Sequence, residues 1–345
     1  MNSPNAMPVM LGKRDRLASW AMGSGMKQLL GILPRRKVLL VVNYHRVGES
    51  IGSPYDDGLF SATAEELDEQ IRLLRRHTRC VTLEEAIAIA EGRERLRGPC
   101  SLLTFDDGYR DAYDVAFPIL RSHSVQGVFF LATSFIGGAR LPWWDAIAYM
   151  LKRSRKRQLS IGYPFEATFS LDQRLPDSIR RILAIYKTSG VDGERFLCEL
   201  EQGCDVAAPA TPPDRQFVTW TEAKHMLAAG MALGAHTHRH EVLSKLSPAE
   251  QYQEALCSKQ AIAQHVGIEV ETLAYPVGSR ASFSNQTIGA LKRAGYRAAF
   301  SFYGGTNSES RIEPFDIRRC AVSRQTSSRF ECQIVMSTVA GRYWP

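Results

Sequence analysis

Long apolar runs are missing from this sequence. The longest purely aliphatic stretch, Val38 to Val42, ends at Asn43 and is far shorter than the ~18 apolar residues of a transmembrane helix. Internal repeats and low-complexity tracts are missing as well. With 44% hydrophobic and 23% charged residues in 345, the composition is typical of a soluble globular protein. It argues against a fully disordered chain, a collagen and a coiled coil.

Paired cysteines are also missing. The seven cysteines are an odd number, widely spaced and without a CxxC pair, so we expect free thiols in a reducing compartment. Polar residues and glycines interrupt the stretch from Leu17 to Leu33, which therefore lacks the continuous apolar core of a secretory signal. We expect a cytoplasmic protein.

Excess positive charge is confined to the N-terminus. Residues 1–37 hold seven basic and one acidic residue, whereas the rest holds 36 basic and 35 acidic residues. A body that binds nucleic acid would need a basic face of its own, so we exclude DNA and RNA as partners.

The N-terminal segment 1–37 has an amphipathic pattern. One helical face would carry Met22, Met26, Leu29, Leu30 and Leu33, flanked by basic residues. Such a segment can contact the inner face of an anionic membrane peripherally. Packing on the rest of the protein, or disorder, is at least as good an interpretation.

Helices and apolar runs alternate along the chain. Capping boxes predict helix starts at Thr63, Thr82, Thr219 and Ser247. Between the predicted helices lie short continuous apolar runs at 38–44, 102–105, 128–131, 231–235, 273–275, 298–302 and 317–322. Continuous runs favour strands buried on both faces. The alternation predicts an α/β barrel or a doubly wound sheet.

Residues 140–218 interrupt this alternation, and we interpret them as an insertion. Without the insertion and residues 1–37, about 230 residues remain, close to the ~250 of one α/β barrel. The predicted organisation is an N-terminal segment 1–37, a barrel domain 38–330 with the insertion, and a C-terminal tail 331–345.

Polar clusters follow the predicted strands. His45 follows the first run, Asp106-Asp107-Gly108 follows the second, and a segment from His236 to His240 follows the fourth. The carboxyl ends of barrel strands open on one face, so these clusters should converge. An isolated Asp-Asp-Gly is more often a turn or a helix cap.

The histidine pair suits a metal. Spaced i and i+4, His236 and His240 would face the same way on a helical turn, while His238 would point elsewhere. Two imidazoles and one carboxylate form a three-ligand site with open positions, as in catalytic zinc sites. The same set of donors can hold Fe(II).

The two motifs together resemble the polysaccharide deacetylase family, the carbohydrate esterases with a NodB-type domain. They read Thr104-Phe105-Asp106-Asp107-Gly108 and His236-Thr-x-x-His240. Over residues 38–330 the resemblance implies a distorted (β/α) barrel of seven or eight parallel strands, with the insertion after the third or fourth. It implies removal of N-acetyl groups from a glycan or a lipid-linked oligosaccharide intermediate. Asp106 would be the general base, and Asp107, His236 and His240 would hold one divalent metal, with Zn²⁺ as our expectation.

Two family motifs are altered. Where the family reads Arg-Pro-Pro-Tyr-Gly, this chain has Ala274-Tyr275-Pro276-Val277-Gly278. We assign Tyr275 and Val277 to substrate binding, with the Val277 N–H as the oxyanion donor. The missing arginine ordinarily holds the base. Arg318, Arg319 or Arg280 is our hypothesis for its replacement, and Arg319 is also assigned to substrate contact.

The family's late Leu-x-His motif, which supplies the general acid, is absent, because no histidine follows His265. His45 is our candidate for the acid, and a structural histidine is an equal alternative. Trp144, inside Trp143-Trp144-Asp145, is a candidate platform for a sugar ring, although core packing also explains both tryptophans and is the somewhat better interpretation. Asp145 can bond hydroxyls or hold an arginine.

Two other functions stay open. One is an amidohydrolase or deformylase acting on a small cytosolic amide. The other is a catalytically inactive relative that binds glycans. The intact Asp106, Asp107 and both histidines argue against the inactive relative. The resemblance implies an N-acetylated carbohydrate as the partner.

Overall fold

The computed structural model describes residues 15, 33–138, 140–212, 214–309 and 312–341. The strands are β1 (Val38–Tyr44), β2 (Arg46–Val47), β3 (Phe60–Ala62), β4 (Arg79–Cys80), β5 (Cys100–Phe105), β6 (Gly127–Leu131), β7 (Gln158–Ile161), β8 (Ala167–Ser170), β9 (Ala232–Ala235), β10 (Thr272–Ala274), β11 (Ala298–Ser301), β12 (Asn307–Ser308) and β13 (Ile317–Ala321). The α-helices are α1 (Ala64–His77), α2 (Leu83–Ala90), α3 (Phe117–Ser122), α4 (Trp143–Arg153), α5 (Leu175–Tyr186), α6 (Gly193–Cys204), α7 (Trp220–Ala228), α8 (Pro248–Val266), α9 (Asn285–Arg293) and α10 (Ser327–Ala340). A π-helical turn, Ala112–Ala116, leads into α3.

Seven parallel strands close into a barrel. Their order is β1, β13, β11, β10, β9, β6 and β5, and β5 pairs with β1 to complete the ring. The barrel prediction is confirmed, and the doubly wound sheet is excluded. Every residue of β1 and β5 is buried, because side chains fill the inside while helices cover the outside. This explains why the strands read as continuous apolar runs.

The predicted helix starts are confirmed. Helices α1, α2, α7 and α8 begin one residue after Thr63, Thr82, Thr219 and Ser247. At each start the hydroxyl accepts a backbone N–H three residues on, and the glutamate at that position accepts the N–H of the capping residue. The capping box therefore satisfies two of the four unpaired N–H donors at each helix start.

Between β6 and β9 the chain leaves the barrel. Helix α4, the antiparallel hairpin β7–β8, α5 and α6 pack around an apolar core of their own. Tyr109, Phe135 and Phe217, from loops of the barrel, join this core. Because β6 is the third barrel strand along the chain, these elements follow the third strand and rest on the carboxyl ends of the barrel.

The ends of the chain differ in how far the structure describes them. Helix α10 packs on α1, where His77 Nε2 lies 2.9 Å from Glu331 Oε1, and the boundary predicted at residue 330 falls inside this helix. Most of the predicted amphipathic segment lies outside the described residues; Leu33 is described, is exposed and lies outside any helix. All seven cysteines are unpaired. Within the described ranges, no helix has both the length and the apolar character needed to cross a bilayer.

Candidate active site

A cavity of about 620 Å³ opens at the carboxyl ends of the barrel strands. Residues directly after β1, β5, β9 and β10 line it, as do helix α5 and the start of α4. Of the predicted site residues, the following line this one cavity: His45, Asp106, Asp107, Trp144, His236, His240, Tyr275, Val277 and Arg319. The fold therefore brings together residues that are up to 274 positions apart in the sequence.

The two aspartates leave β5 in different directions. Asp107 and Gly108 have φ values of 71° and 81°, so the chain turns sharply after Asp106. The positive φ favours glycine at position 108, and a Cβ there would lie 2.6 Å from Ile136 Cδ1, so the Ile136 side chain would have to shift. Both carboxylates are buried. The turn directs Asp107 toward the histidines and leaves Asp106 beside Arg319.

The histidines converge without a helical turn, which corrects the prediction from their spacing. Residues 236–240 form a loop in which Thr237 and His240 have φ values of 62° and 58°. Thr237 Oγ1 accepts the N–H of His240, and Glu254 Oε2 accepts the N–H groups of His238 and Arg239. These bonds offset the cost of left-handed backbone. His238 Nδ1 lies 2.9 Å from Thr133 Oγ1, outside the histidine–aspartate cluster.

Asp107, His236 and His240 fit a metal ion. Nε2 of His236 and Nε2 of His240 lie 3.4 and 3.3 Å from Asp107 Oδ1, and 3.1 Å from each other. Ligands about 2.0–2.1 Å from a tetrahedral zinc would stand roughly 3.3 Å apart. Asp107 Oδ1 is buried and has no hydrogen-bond donor among the described residues. His236 Nδ1 donates to the carbonyl of Ala274 at 2.7 Å, which leaves Nε2 free as a ligand.

The charge states of the two aspartates differ because their neighbours differ. Burial opposes ionisation of Asp106, but Arg319, with His236 and His45, outweighs it and holds the pKa of this carboxyl below its usual value. Burial and the charge of Asp106 raise the pKa of Asp107 well above its usual value. A cation bound by Asp107 would favour its ionised form.

Asp106 is held from both sides. Arg319 Nη1 donates to Oδ1 at 2.7 Å, and Asn43 Nδ2 donates to Oδ2 at 3.0 Å. Arg319 also bonds Asn43 Oδ1 and the carbonyl of Ser301, and its side chain is fully buried. Arg280 and Arg318 lie over the ring of Tyr303 instead. Of the three arginines proposed from the sequence, Arg319 is the one in contact with Asp106.

Comparison with known proteins agrees with this geometry. The family model described as "Polysaccharide deacetylase" matches residues 93–299, a stretch that includes Asp106, Asp107, His236 and His240. The chain belongs to the polysaccharide deacetylase family. The resemblance stated from the sequence motifs is confirmed.

One curated relative matches part of this chain. A poly-beta-1,6-N-acetyl-D-glucosamine N-deacetylase of Staphylococcus epidermidis is 31% identical over 110 residues, which cover 28% of this chain and 37% of that protein. The chain thus matches little more than a third of that relative's length.

Solved structures share the fold. The Streptococcus pyogenes deacetylase PplD, in complex with acetate, aligns with a TM-score of 0.56 at 16% identity over 86% of this chain and 98% of that one. IcaB from Ammonifex degensii aligns with a TM-score of 0.56 at 19% identity over 88% and 99%. At this identity the likeness establishes the barrel fold alone.

His45 lies beside Asp106 in this deacetylase-family site. Its Nε2 is 4.0 Å from Asp106 Oδ2, and its ring centroid is 5.6 Å from that of Phe302. Burial lowers the pKa of His45 to about 4; Asp106 opposes the shift, while Arg319 and His236 add to it. The ring is therefore neutral at pH 7.

Tyr275 and Val277, both assigned to substrate binding from the sequence, line the cavity. The Tyr275 hydroxyl donates to the carbonyl of Phe315 at 2.9 Å, and its ring stacks on Phe283, so the polar end is already bonded within the protein. Val277 has a φ of 63°, which is strained for a β-branched residue. Val277 lines the cavity at this backbone turn.

Trp144 is buried, and its indole N–H donates to the Tyr109 hydroxyl at 2.6 Å. Its ring centroid lies 4.3 Å from that of His240. The indole N–H is thus bonded within the protein and the ring packs on a histidine, while Trp144 also lines the cavity. Its role as a platform for a sugar ring stays a prediction. Trp143 stacks on Tyr186, with ring centroids 4.1 Å apart.

Sequence reasoning missed two residues of the site. Asn43 bridges Asp106 and Arg319, and Arg46 binds Asp145. The signal for Asn43 was a polar residue at the end of a purely aliphatic run. The signal for Arg46 was a second charged residue directly after His45, within the strand-end motif.

Proposed function

We propose that this protein is a metal-dependent N-deacetylase that hydrolyses the N-acetyl groups of a glycan. The observation that carries the proposal is the convergence of Asp107, His236 and His240 at 3.1–3.4 Å, next to an Asp106 held ionised by Arg319. A base beside a metal site is the arrangement that hydrolysis of an amide requires. The name of the staphylococcal relative supports an N-acetylglucosamine polymer as the substrate class.

The residues that would hold the metal are Asp107, His236 and His240. Nitrogen and carboxylate donors in this number suit Zn²⁺ with open positions. A divalent ion bound there would polarise the acetyl carbonyl and lower the pKa of a coordinated water molecule.

Asp106 is proposed as the general base. Oδ1 is engaged by Arg319, and Oδ2 faces Nε2 of both His236 and His45, at 3.8 and 4.0 Å. Because its pKa is held low, Asp106 is ionised at neutral pH and can accept the proton of the attacking water. Arg319 and Asn43 fix its orientation. Arg319 thereby takes the role of the arginine that is missing from the family's third motif.

His45 is proposed to deliver a proton to the leaving amine. The ring is neutral in the resting protein, so it must first receive a proton. Asp106 is the nearest acid, 4.0 Å from Nε2, and carries the proton taken from water at that stage. Passing this proton on through His45 lets the C–N bond break to give acetate and the free amine. The backbone N–H of Val277 is the proposed donor to the developing oxyanion.

The test measures both the metal content of the protein and its turnover. We expect about one zinc per chain by mass spectrometry, and acetate release from a β-1,6-linked N-acetylglucosamine oligosaccharide. His236→Ala should lose the metal, and Asp106→Asn should keep it while losing turnover.

Glu331→Gln, on α10 and away from the cavity, is the matched control and should retain both. Absence of bound metal after zinc loading would overturn the proposal. Hydrolysis of small formamides in place of the oligosaccharide would instead identify a small-amide hydrolase, and metal binding without any hydrolysis would favour an inactive relative.

A further inference from the structure

The carboxylate of Asp145, which lies outside the barrel, is buried against loops that border the cavity. Asp145 lies in the first turn of α4 and has no exposed surface. Its Oδ2 accepts from Arg46 Nη2 at 2.8 Å and from the Tyr109 hydroxyl at 3.4 Å. Its Oδ1 accepts the backbone N–H of Asp56 at 3.3 Å. One side chain thus bonds three separate segments of the barrel.

Each of these segments contributes to the cavity. Arg46 directly follows His45, Tyr109 is two residues after Asp107, and Asp56 itself lines the cavity wall. Asp145 directly follows Trp144. The bonds of this carboxylate therefore hold residues that lie next to, or two positions from, several groups of the proposed reaction.

Arg46 is held rigidly on its other side. It is buried, its guanidinium lies 3.7 Å from the centroid of the Tyr109 ring, and Nη1 donates to Gln216 Oε1 at 3.2 Å. Tyr109 in turn accepts the indole N–H of Trp144, which places that ring against His240. Asp145 and Arg46 are thus connected through Tyr109 and Trp144 to His240, a candidate metal ligand, and Arg46 is the sequence neighbour of His45.

We propose that Asp145, through its ion pair with Arg46, is a positioning residue for the deacetylation site. It would set Trp144 against His240 and hold His45 at its distance from Asp106. This inference rests on the proposed function. A buried carboxylate that served only to attach α4 to the barrel would affect stability, whereas a positioning residue affects the geometry of the ligand set and turnover as well.

The experiment uses the full chain and four variants. Asp145→Asn removes the charge at almost constant shape, Arg46→Gln removes its partner, and the double variant removes both. Glu331→Gln is the matched control, because it neutralises another buried carboxylate in an ion pair, with His77, far from the cavity. The measurements are kcat and KM for acetate release, thermal midpoint, and the visible absorption of the Co²⁺-loaded protein.

We expect Asp145→Asn to lower kcat about tenfold or more, with a smaller change in KM, because small displacements of reacting groups are costly. The Co²⁺ spectrum should change in the same variant, since His240 would be less well oriented. The double variant should be no worse than the worse single variant, as expected for one interacting unit. Glu331→Gln should lower the thermal midpoint while leaving kcat and the spectrum unchanged.

Unchanged kcat and spectrum in folded Asp145→Asn would overturn this inference and leave the proposed function standing. If Asp145→Asn does not fold, Tyr109→Phe removes the hydroxyl between Asp145 and Trp144 without a charge change, and the same two readouts decide. A wild-type chain that neither binds Co²⁺ nor releases acetate would overturn the proposed function, and this inference with it.

Discussion

Arg319 Nη1 lies 2.7 Å from Asp106 Oδ1, and both side chains are almost completely buried. The arginine comes from β13, the last barrel strand, and the aspartate from the end of β5. β1 lies between these strands and pairs with both, and its Asn43 bonds both side chains. The charge that holds the proposed base therefore comes from the closure of the barrel.

Arg319→Lys should lower kcat/KM about tenfold or more, because a lysine keeps the charge but cannot bond Asp106, Asn43 and Ser301 in the same fork geometry. Arg318→Lys, one residue earlier and outside this network, is the control and should keep wild-type turnover. Acetate-release kinetics on both variants measures this. Equal loss in the two would contradict the role given to Arg319.

His45→Gln should change how stability depends on pH in the metal-free protein. The histidine has a pKa of about 4 in the folded state and near ~6.5 when unfolded. Below pH 6.5 the unfolded state binds a proton at His45 that the folded state does not. The free energy of unfolding is therefore unaffected by His45 above that pH, and it falls as the pH drops toward 4. The loss is at most about 3 kcal/mol.

Urea unfolding at several pH values from 4 to 7 would measure the slope of the free energy of unfolding against pH. The slope should decrease in His45→Gln but not vanish, because the pKa values of His236 and His240 are also lowered. An identical slope in the variant and the wild type would show that His45 keeps an ordinary pKa.

Asp107→Asn should abolish the stabilisation by zinc without lowering the stability of the metal-free protein at pH 8. The folded-state pKa of Asp107 is raised, so its contribution to stability is present at low pH and is lost as the pH rises through that value. At pH 8 the metal-free variant should be at least as stable as the metal-free wild type. Zinc should raise the thermal midpoint of the wild type only. A zinc-induced rise in the variant would contradict the assignment of Asp107 as a ligand.

Gly108→Ala should cost about 2–4 kcal/mol of stability, because the position needs a positive φ and a Cβ would meet Ile136 Cδ1 at 2.6 Å. Gly230 has a similar φ of 89° with nothing within 4 Å of an added Cβ. Gly230→Ala therefore measures the backbone cost alone, about 1–2 kcal/mol. Denaturant unfolding of both variants compares the two costs, and equal values would show that the turn after Asp106 is not crowded.

The barrel strands, the capped helix starts and the candidate metal ligands could be predicted from the sequence because their signals are local. Each capping box joins residues three apart, and each buried strand is a continuous apolar run. The turn at Asp107-Gly108 also carries its own signal. The spacing of His236 and His240 correctly predicted that the two side chains lie together, but the predicted helical turn was wrong. The segment is a loop shaped by residues with positive φ and by the bonds of Glu254.

The partners of these residues depend on contacts between distant parts of the chain. Three arginines were equal candidates for the base partner, and the pairing of β1 with β13 and β5 selected Arg319. The contacts of Trp144 were equally out of reach of the sequence: its N–H donates to the Tyr109 hydroxyl, and its ring packs on His240.

The sequence by itself determined the seven barrel strands, the four capped helix starts and the candidate ligand residues, because propensity, capping and strand-end placement act over a few residues. Only the tertiary structure decided which charges meet. Barrel closure and the seating of α4 bring Arg319 to Asp106 and Asp145 to Arg46, and a buried charge is stable only beside a partner that the fold delivers.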